Sequence, residues 1–366
     1  MGIIKLILTY IMCLSQILAP LQITLTPGGE ASYFTDWSVS DIFDSRDYIE
    51  LEKEESKDFV VLNLTDIQLS DAKAYGDHGT YSEELITKLI EDHNPDLITL
   101  SGDNAWDTAA YLRLIEFLDG FDIPWAPVMG NHDGQGCISE FWVAYNFTQA
   151  ENCLFQFGPK DMGYGNYIIN ITENGEIVHT LFMMDTHSDA EFILEDGTKV
   201  EGYDHLWNNQ QKWYKWAVNS IKEMAGKTVE STAIMHIPVF EYVEAWDMVS
   251  IESDESEMGV LNPEYADIAS GRCYELSCPA PVNNGFYALC QELGSTKTIL
   301  VGHDHVNDYH INYNGIKLAY AVKSGFGSYW RDDMIGGTTI TINAEGNAET
   351  VNHYYDVVAN GWVLEH

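Results

Sequence analysis

The stretch Gly130-Asn131-His132-Asp133 directly follows the apolar run Trp125-Ala126-Pro127-Val128-Met129. An apolar run of this length that stops at a glycine is typical of a short buried strand. The residues after the glycine bring an amide, an imidazole and a carboxylate to the end of that strand. Because α/β folds bind ligands outside the carboxyl ends of their strands, this stretch is a candidate functional site. A polar turn without function is the alternative, and other parts of the chain decide between the two.

Two earlier apolar segments end in the same way, in Asp66-Ile67-Gln68 and in Gly102-Asp103. The periodicity predicts strands and helices in alternation: strand 59–64, helix 81–93, strand 97–100 and helix 107–118. Such an alternation forms a parallel sheet with right-handed crossovers, so the fold class is α/β. Asp66, Asp103 and Asn131 are therefore expected at one edge of the sheet.

Two later strands also end in possible metal ligands. The predicted strand 232–235 ends at His236, and the predicted strand 298–301 runs into Gly302-His303-Asp304-His305. One histidine after a strand is usually structural, but five such strand ends in one chain are hard to dismiss. Segments 318–322, 338–342 and 350–354 are expected to close the fold as antiparallel strands.

This set of residue types suits a pair of divalent metal ions. Two adjacent ions need a bridging carboxylate, with oxygen and imidazole ligands on either side. Asp103 is the candidate bridge because its strand lies between those of Asp66 and Asn131 in chain order. His303 and His305, two positions apart across a turn, can reach different ions.

The composition excludes some classes of function. The chain of 366 residues has 18 Lys and Arg against 57 Asp and Glu, for a formal net charge of −39. Such a chain lacks the cationic surplus that binds a nucleic-acid polymer. A phosphate group would need a locally concentrated positive charge, which bound metal ions supply. The hydrophobic content of 45% predicts a globular chain with one core domain.

Three regions are expected along the chain. Residues 1–27 are predicted to be a signal peptide, with an uncleaved N-terminal membrane anchor as the alternative. Residues 28–57 are predicted to be a surface segment. Residues 58–366 form the predicted domain, with insertions near 134–167 and 241–285. The location is therefore expected to be secreted or extracytoplasmic.

The cysteines are consistent with export. Disulfides are expected between Cys137 and Cys153, and between Cys273 and either Cys278 or Cys290, from their proximity in the sequence. Zinc held by thiolates is the alternative, but the chain has no Cys-x-x-Cys spacing to support it.

The ordered motifs resemble the five blocks of the calcineurin-like metallophosphoesterase superfamily. They are Asp66-Ile67-Gln68, Gly102-Asp103, Gly130-Asn131-His132-Asp133, His236 and Gly302-His303-Asp304-His305. The resemblance covers about residues 58–345 and is to the secreted, purple-acid-phosphatase-like or sphingomyelinase-like branches. It implies a four-layer α/β/β/α sandwich of the metallophosphoesterase type, with a dinuclear metal centre at the sheet edge.

The resemblance also implies a role for each residue of the motifs. One metal ion would be held by Asp66, Gln68, Asp103 and His305, and the other by Asp103, Asn131, His236 and His303. His132 would contact the phosphate and assist the leaving group, oriented by Asp133. In-line attack of a metal-bound hydroxide would then hydrolyse a phosphomonoester or a phosphodiester.

Two residues depart from the family pattern. Gln68 stands where the first block usually has histidine, and an amide oxygen is a weaker, harder ligand than imidazole. We therefore expect two divalent ions from among Mn, Fe, Zn and Mg, with the first site less suited to Zn. Trp106 stands where the purple acid phosphatases have a tyrosine, so a coloured ferric site is not expected.

The expected substrate is a small-molecule phosphate ester. Two alternatives remain open: a phosphodiesterase specific for a lipid headgroup or nucleotide, and a metal-poor pseudoenzyme that acts as a binding protein. Gln68 is the feature that favours the pseudoenzyme.

Overall fold

The computed structural model describes residues 29–70, 76–135 and 138–362. The predicted signal peptide and Cys137 lie outside these residues. The helices are α1 (His78–His93), α2 (Thr108–Asp119), α3 (Glu140–Phe147), α4 (Asn208–Ala225), α5 (Glu241–Val249) and α6 (Phe286–Leu293). The strands are β1 (Ile49–Glu52), β2 (Phe59–Leu64), β3 (Leu97–Ser101), β4 (Trp125–Val128), β5 (Tyr167–Glu173), β6 (Glu176–Met183), β7 (Asp189–Ile193), β8 (Lys199–Tyr203), β9 (Glu230–Ile234), β10 (Ser250–Ser253), β11 (Ser256–Leu261), β12 (Ala269–Ser270), β13 (Thr296–Val301), β14 (His310–Tyr313), β15 (Ile316–Tyr320), β16 (Gly336–Ile342) and β17 (Ala348–Tyr354).

A five-stranded sheet carries the first three motifs. Its strand order is β17-β16-β2-β3-β4, and the β2–β3 and β3–β4 pairs are parallel. The predicted parallel pairing of the three early strands is therefore confirmed. Strand β16 pairs antiparallel to both β2 and β17, as expected for the closing segments. Because β3 lies between β2 and β4, Asp103 follows the central strand of the three.

An eight-stranded mixed sheet carries the other two motifs. Its order is β1-β5-β6-β9-β13-β15-β14-β12, and β9, which precedes His236, is parallel to β13, which precedes His303. Neighbouring residues along its strands alternate between two apolar clusters. Leu300 packs toward the five-stranded sheet, while Ile299 packs into the second cluster, to which α4, α5 and α6 contribute. Both faces of this sheet are therefore buried.

The helices cover the outer faces of the two sheets. Helix α1 packs on β2 and β16, and buried residues of α2 and α3 belong to the same cluster as the five-stranded sheet. Helix α6 packs on β13 and against α4. The order of layers is helices, sheet, sheet, helices, which confirms the predicted four-layer α/β/β/α architecture.

The predicted ends of some helices and strands agree closely with the structure, and others do not. Helix α2 begins one residue after the predicted start because the side chain of Asp107 caps it, accepting a hydrogen bond from the backbone N–H of Ala110 at 2.9 Å. Helix α1 begins three residues before the predicted 81, since its first turn lacks the apolar spacing that marks the rest. Strand β1 was missed within the predicted surface segment 28–57, because it is held by parallel pairing to β5, far along the chain.

The predicted disulfide within the later cysteines is absent. Cys273, Cys278 and Cys290, all described by the structure, are free thiols. Cys290 lies on α6 and is fully buried, whereas Cys273 precedes a loop, so proximity in sequence did not bring the sulfur atoms together. Cys153 is also a free thiol. Within residues 29–70, 76–135 and 138–362, no helix has the length and apolar character needed to span a membrane.

Candidate metal centre

The candidate centre lies where strand ends from the two sheets meet. Asp66, Asp103 and His236 are all buried, and each offers one ligand atom within 4.8 Å of the others. Asp66 follows β2 and Asp103 follows β3, whereas His236 arrives from β9 of the other sheet. The predicted convergence of the motifs at one edge is therefore present in the structure, with the second sheet supplying the histidines.

Glycine allows the strand ends to approach so closely. A Cβ atom placed on Gly130 would lie 3.0 Å from Cγ of Asp103 and closer still to other Asp103 atoms. A Cβ atom on Gly302 would overlap Thr65 and Asp66. These two glycines bring the neighbouring motifs to within the contact distance that a shared metal centre needs.

Three donor atoms surround Nε2 of His236 and form a group of four with it. That atom lies 3.0 Å from Oδ1 of Asn131, 3.4 Å from Oδ1 of Asp103 and 3.3 Å from Nδ1 of His303. Donors bound to one ion at about 2.0 to 2.2 Å are separated from one another by roughly 3 Å. We call these four residues the inner group. Their spacing and their mix of carboxylate, amide and imidazole fit a divalent transition metal.

The protein fixes which imidazole nitrogen faces the centre. Nδ1 of His236 lies 2.8 Å from the carbonyl oxygen of Ser101, and Nδ1 of His305 lies 3.0 Å from that of Tyr329. Each Nδ1–H donates to its carbonyl, which leaves Nε2 as the ligand atom. The ring of Tyr329 also stacks on His305, with centroids 4.2 Å apart.

The outer group contains Asp66 and His305, with Asp103 shared. Oδ1 of Asp66 lies 3.2 Å from Nε2 of His305 and has no hydrogen-bond partner. Its other oxygen accepts hydrogen bonds from the Thr65 hydroxyl at 2.7 Å and the His303 backbone at 3.0 Å. Burial alone would raise the pKa of Asp66, but the neighbouring His305, His236 and Lys323 hold it well below its usual range. This buried, underused carboxylate oxygen is suited to a cation.

Gln68, the fourth predicted outer ligand, lies between Asp103 and a buried lysine. Its Nε2 donates to Oδ2 of Asp103 at 3.0 Å, and its Oε1 accepts from Nζ of Lys323 at 3.0 Å. Lys323 is 1% exposed. Burial lowers the pKa of Lys323 to about 8, against the opposing effect of Asp66. Nζ of Lys323 therefore lies within the acidic surroundings of Asp66 and Asp103.

His132 reaches the mouth of the centre, but Asp133 does not orient it. Nδ1 of His132 lies 2.7 Å from Oε1 of Gln135, and the His132 ring lies 4.8 Å from that of Trp106. The His132 backbone N–H donates to Oδ1 of Asp103 at 2.9 Å. Its side chain remains one-third exposed, as expected of a group that meets a substrate. The predicted orientation by Asp133 is wrong, because that carboxylate faces the protein interior.

Asp133 instead holds the motifs together. Its carboxylate accepts hydrogen bonds from the backbone N–H of Gly130 at 2.7 Å, from the backbone and side chain of Asn104 at 2.8 Å each, and from the hydroxyl of Tyr111. Burial, followed by the charge of Asp103, raises the pKa of Asp133 to about 6. The residue therefore fixes the turn after β4 to the turn after β3.

Sequence reasoning missed Lys323, Gln135 and Tyr111. Lys323 lies beyond β15 in a segment expected to be strand up to 322, and a single lysine there carries no motif. Tyr111 lies on the buried face of α2, where its position in the apolar pattern indicates a core residue. Gln135 stands two residues after the motif, so its contact with His132 offered a weak local signal.

Comparisons with known proteins show the family to which the chain is similar. A family model described as calcineurin-like phosphoesterase matches residues 59–307. Over 271 residues, the chain is 28% identical to a protein named "Probable inactive purple acid phosphatase 14" from Arabidopsis thaliana, covering 67% of this chain and 62% of that protein. It is 27% identical over 276 residues to "Phosphatase DCR2" from Saccharomyces cerevisiae, covering 70% of this chain and 44% of that protein.

These relatives are longer than the matched region, and the chain spans less than two thirds of their length. Among solved structures, the chain is similar to a crystal structure described as a dimetal phosphatase from Danio rerio. That match has a TM-score of 0.46 and 11% identity, and covers 80% of this chain and 98% of the other.

Proposed function

Because the chain belongs to the calcineurin-like phosphoesterase family, we propose that it is a secreted, metal-dependent phosphoesterase acting on a small phosphomonoester or phosphodiester. The observation that carries this proposal is the inner group, in which three donor atoms lie 3.0 to 3.4 Å from Nε2 of His236. The carbonyl of Ser101, which fixes the ring of His236, supports a ligand role for this histidine.

The residues of the centre have separable roles in this proposal. The inner group would hold a divalent ion, and Asp66, Asp103 and His305 offer donors for a second. Such ions lower the pKa of a water molecule and offset charge on the phosphate. His132, held through Nδ1 by Gln135, would contact the phosphate and stabilise the departing oxygen. The ring of Trp106 limits the positions that His132 can adopt.

A neighbouring cavity supports a substrate with an uncharged or cationic leaving group. This cavity of about 720 Å³ is lined by Ser188, whose hydroxyl donates to the backbone carbonyl of Asn131 at 2.9 Å. Its aromatic walls include Tyr164 and Trp207, and its charged groups are mostly acidic, although Lys160 also lines it. Aromatic faces and carboxylates attract cations and repel further phosphates. A lipid headgroup would suit these walls better than a nucleotide polyphosphate.

Secretion is the part of the proposal that rests on residues 1–27. Expression of the full chain in a secreting host, followed by N-terminal sequencing of protein from the medium, tests it. Release of a chain that begins near residue 28 is the expected result. Retention of the intact N terminus in the membrane fraction would favour the anchor instead.

Hydrolysis assays test the enzymatic proposal. The purified protein would be stripped of metal, resupplied with Mn²⁺, Zn²⁺, Fe²⁺ or Mg²⁺, and assayed with bis-p-nitrophenyl phosphate and p-nitrophenyl phosphate. Metal-dependent turnover is expected, lost in Asp103→Asn and retained in Asp254→Asn, which changes an exposed carboxylate on the β10–β11 hairpin. The preferred reagent separates a diesterase from a monoesterase. Turnover that survives in Asp103→Asn would contradict the proposed site.

A binding protein without activity is the second candidate function. The pairing of Gln68 with Lys323 favours it, because this pair occupies part of the outer group. The name "probable inactive" carried by a relative points the same way. Binding of phosphate esters without turnover in any of the four metals would favour this candidate over the enzyme.

A further inference from the structure

We propose that this chain binds one divalent ion tightly, at the inner group, and that the ammonium of Lys323 takes the place of a second tightly bound ion beside Asp66. The inference rests on the proposed function only in that the centre holds metal. It concerns how many ions are held and which residue of this chain replaces the other.

The first observation is where the ammonium lies. Nζ of Lys323 donates to the backbone carbonyl of Asp66 at 2.6 Å and to Oε1 of Gln68 at 3.0 Å. A buried ammonium is costly unless opposite charges are close by. The carboxylates of Asp66 and Asp103 are the charges that would otherwise neutralise a metal ion. Lys323 therefore already offsets part of the negative charge of the outer group.

The second observation is the direction of the Gln68 amide. An ammonium can only donate hydrogen bonds, and an ionised carboxylate can only accept them. The amide oxygen must therefore face Lys323, and the amide nitrogen must face Asp103, at the 3.0 Å separations found. An amide nitrogen has no free electron pair to give to a metal. In this arrangement Gln68 is a hydrogen-bond bridge between a cation and the shared carboxylate, and not a ligand.

The third observation is that the backbone holds Lys323 in place. The backbone N–H of Ser324 donates to the Thr65 carbonyl at 2.9 Å, and the Thr65 N–H donates to the Ser324 hydroxyl at 3.2 Å. A Cβ atom on Gly325 would overlap the backbone of Ile67. The segment after β15 therefore lies directly against the first motif, and this places the buried Lys323 side chain beside Asp66 and Gln68.

These contacts predict unequal binding of two ions. A second ion in the outer group would have only Asp66, Asp103 and His305 as donors, and it would be repelled by the adjacent ammonium. Since two charges a few ångströms apart interact strongly even at an effective dielectric constant of 20, we expect the second ion to bind at least about 100-fold more weakly than the first.

Metal stoichiometry tests the proposal without using activity. The purified protein would be titrated with Mn²⁺ by calorimetry, and the bound metal counted by elemental analysis after gel filtration. One ion per chain is expected. The double variant Gln68→His, Lys323→Met should bind two ions, because it removes the ammonium and supplies an imidazole. Lys317→Met, which changes a half-buried lysine on β15 away from the centre, should still bind one.

The possible outcomes distinguish the failure of this inference from the failure of the phosphoesterase proposal. Two ions bound with similar affinity by the unchanged protein would overturn the inference and leave the phosphoesterase proposal intact. A double variant that folds but still binds one ion would overturn the role of Lys323. No bound ion at all would overturn both proposals. If the variants do not fold, anomalous X-ray scattering from Mn²⁺-soaked crystals of the unchanged protein decides, by giving one peak at the inner group or two.

Discussion

Replacing Gly130 by alanine should weaken both the fold and the metal centre. Gly130 does not have a left-handed backbone, so alanine is allowed there conformationally and only space is in question. The new Cβ atom would lie 3.0 Å from Cγ of Asp103, and closer to its backbone nitrogen and Oδ1. Either the turn after β4 or the turn after β3 must move.

The size of the effect follows from what holds Asp103. Its backbone carbonyl accepts from the N–H of Gln68 at 2.9 Å, and Oδ1 accepts from the backbone of His132 at 2.9 Å. Overpacking a well-packed site costs about 1 to 3 kcal/mol, and the upper end applies here because the clash is with backbone. Because ligand distances at metal sites fall within about 0.2 Å of their standard values, a displaced Asp103 should lower the affinity for the first ion at least about tenfold.

Denaturant unfolding and metal titration measure the two effects, with Gly120→Ala as the matched control. Gly120 ends α2 with φ −66°, and its added Cβ would approach neighbours no closer than 3.3 Å. That control should be neutral or slightly stabilising, by about 0.5 kcal/mol. If Gly130→Ala unfolds at the same denaturant concentration as Gly120→Ala and binds Mn²⁺ as tightly as the unchanged protein, the close approach is not what constrains this site.

Three further outcomes are expected. Tyr111→Phe removes a hydrogen bond to buried Asp133 and should lower the free energy of unfolding by about 1 to 3 kcal/mol. Chemical denaturation measures this change, and an unchanged free energy of unfolding would mean that the hydrogen bond does not stabilise the fold. His132→Gln should lower turnover by about 100-fold or more while leaving the Mn²⁺ affinity measured by calorimetry unchanged. Weaker Mn²⁺ binding by this variant would indicate that His132 is a metal ligand. Burial lowers the pKa of His179 from 6.5 to about 4, so the unfolded chain binds a proton that the folded chain resists. The stabilising contribution of neutral His179 to the free energy of unfolding should be fully present above pH 6.5 and should fall by about 3 kcal/mol toward pH 4. Denaturant unfolding at a series of pH values tests this, because His179→Gln should remove the uptake of one proton on unfolding. An unchanged dependence of the free energy of unfolding on pH in that variant would contradict the assignment.

The parts of the centre that follow strands were predictable from local sequence. Strand β2 has the predicted bounds, and strands β3 and β4 differ from prediction by one residue at one end each. A polar residue at the end of a buried strand is visible in sequence because the change from apolar to polar is abrupt. Parallel pairing then places Asp66, Asp103 and Asn131 at one edge by geometry alone.

The parts that depend on long-range contact were not predictable. Lys323 enters the centre because the segment after β15 packs on the turn after β2, more than 250 residues earlier. The hairpin β10–β11 lies within the insertion expected near 241–285, where no strands were predicted. Among the residues that the structure describes, its two strands pair with each other and with no other strand. Their acidic residues are exposed to solvent and interrupt the apolar alternation that would mark a strand in the sequence.

The backbone conformation explains why the side chains of the candidate centre lie ready at the sheet edge. Asp66, Gln68, Asp103 and His303 all have positive φ, at 50°, 48°, 53° and 77°. Each residue with positive φ costs about 1 kcal/mol or more of conformational free energy. Hydrogen bonds between the turns offset this cost. The backbone N–H of Asp66 donates to the Gly102 carbonyl at 3.1 Å, and the backbone N–H of His303 donates to the Asp66 carboxylate at 3.0 Å. The left-handed residue turns the chain sharply after the strand, which keeps its side chain at the edge. Because these bonds are made within the protein, the ligand positions are set before an ion arrives, and binding need not supply the energy of arranging them.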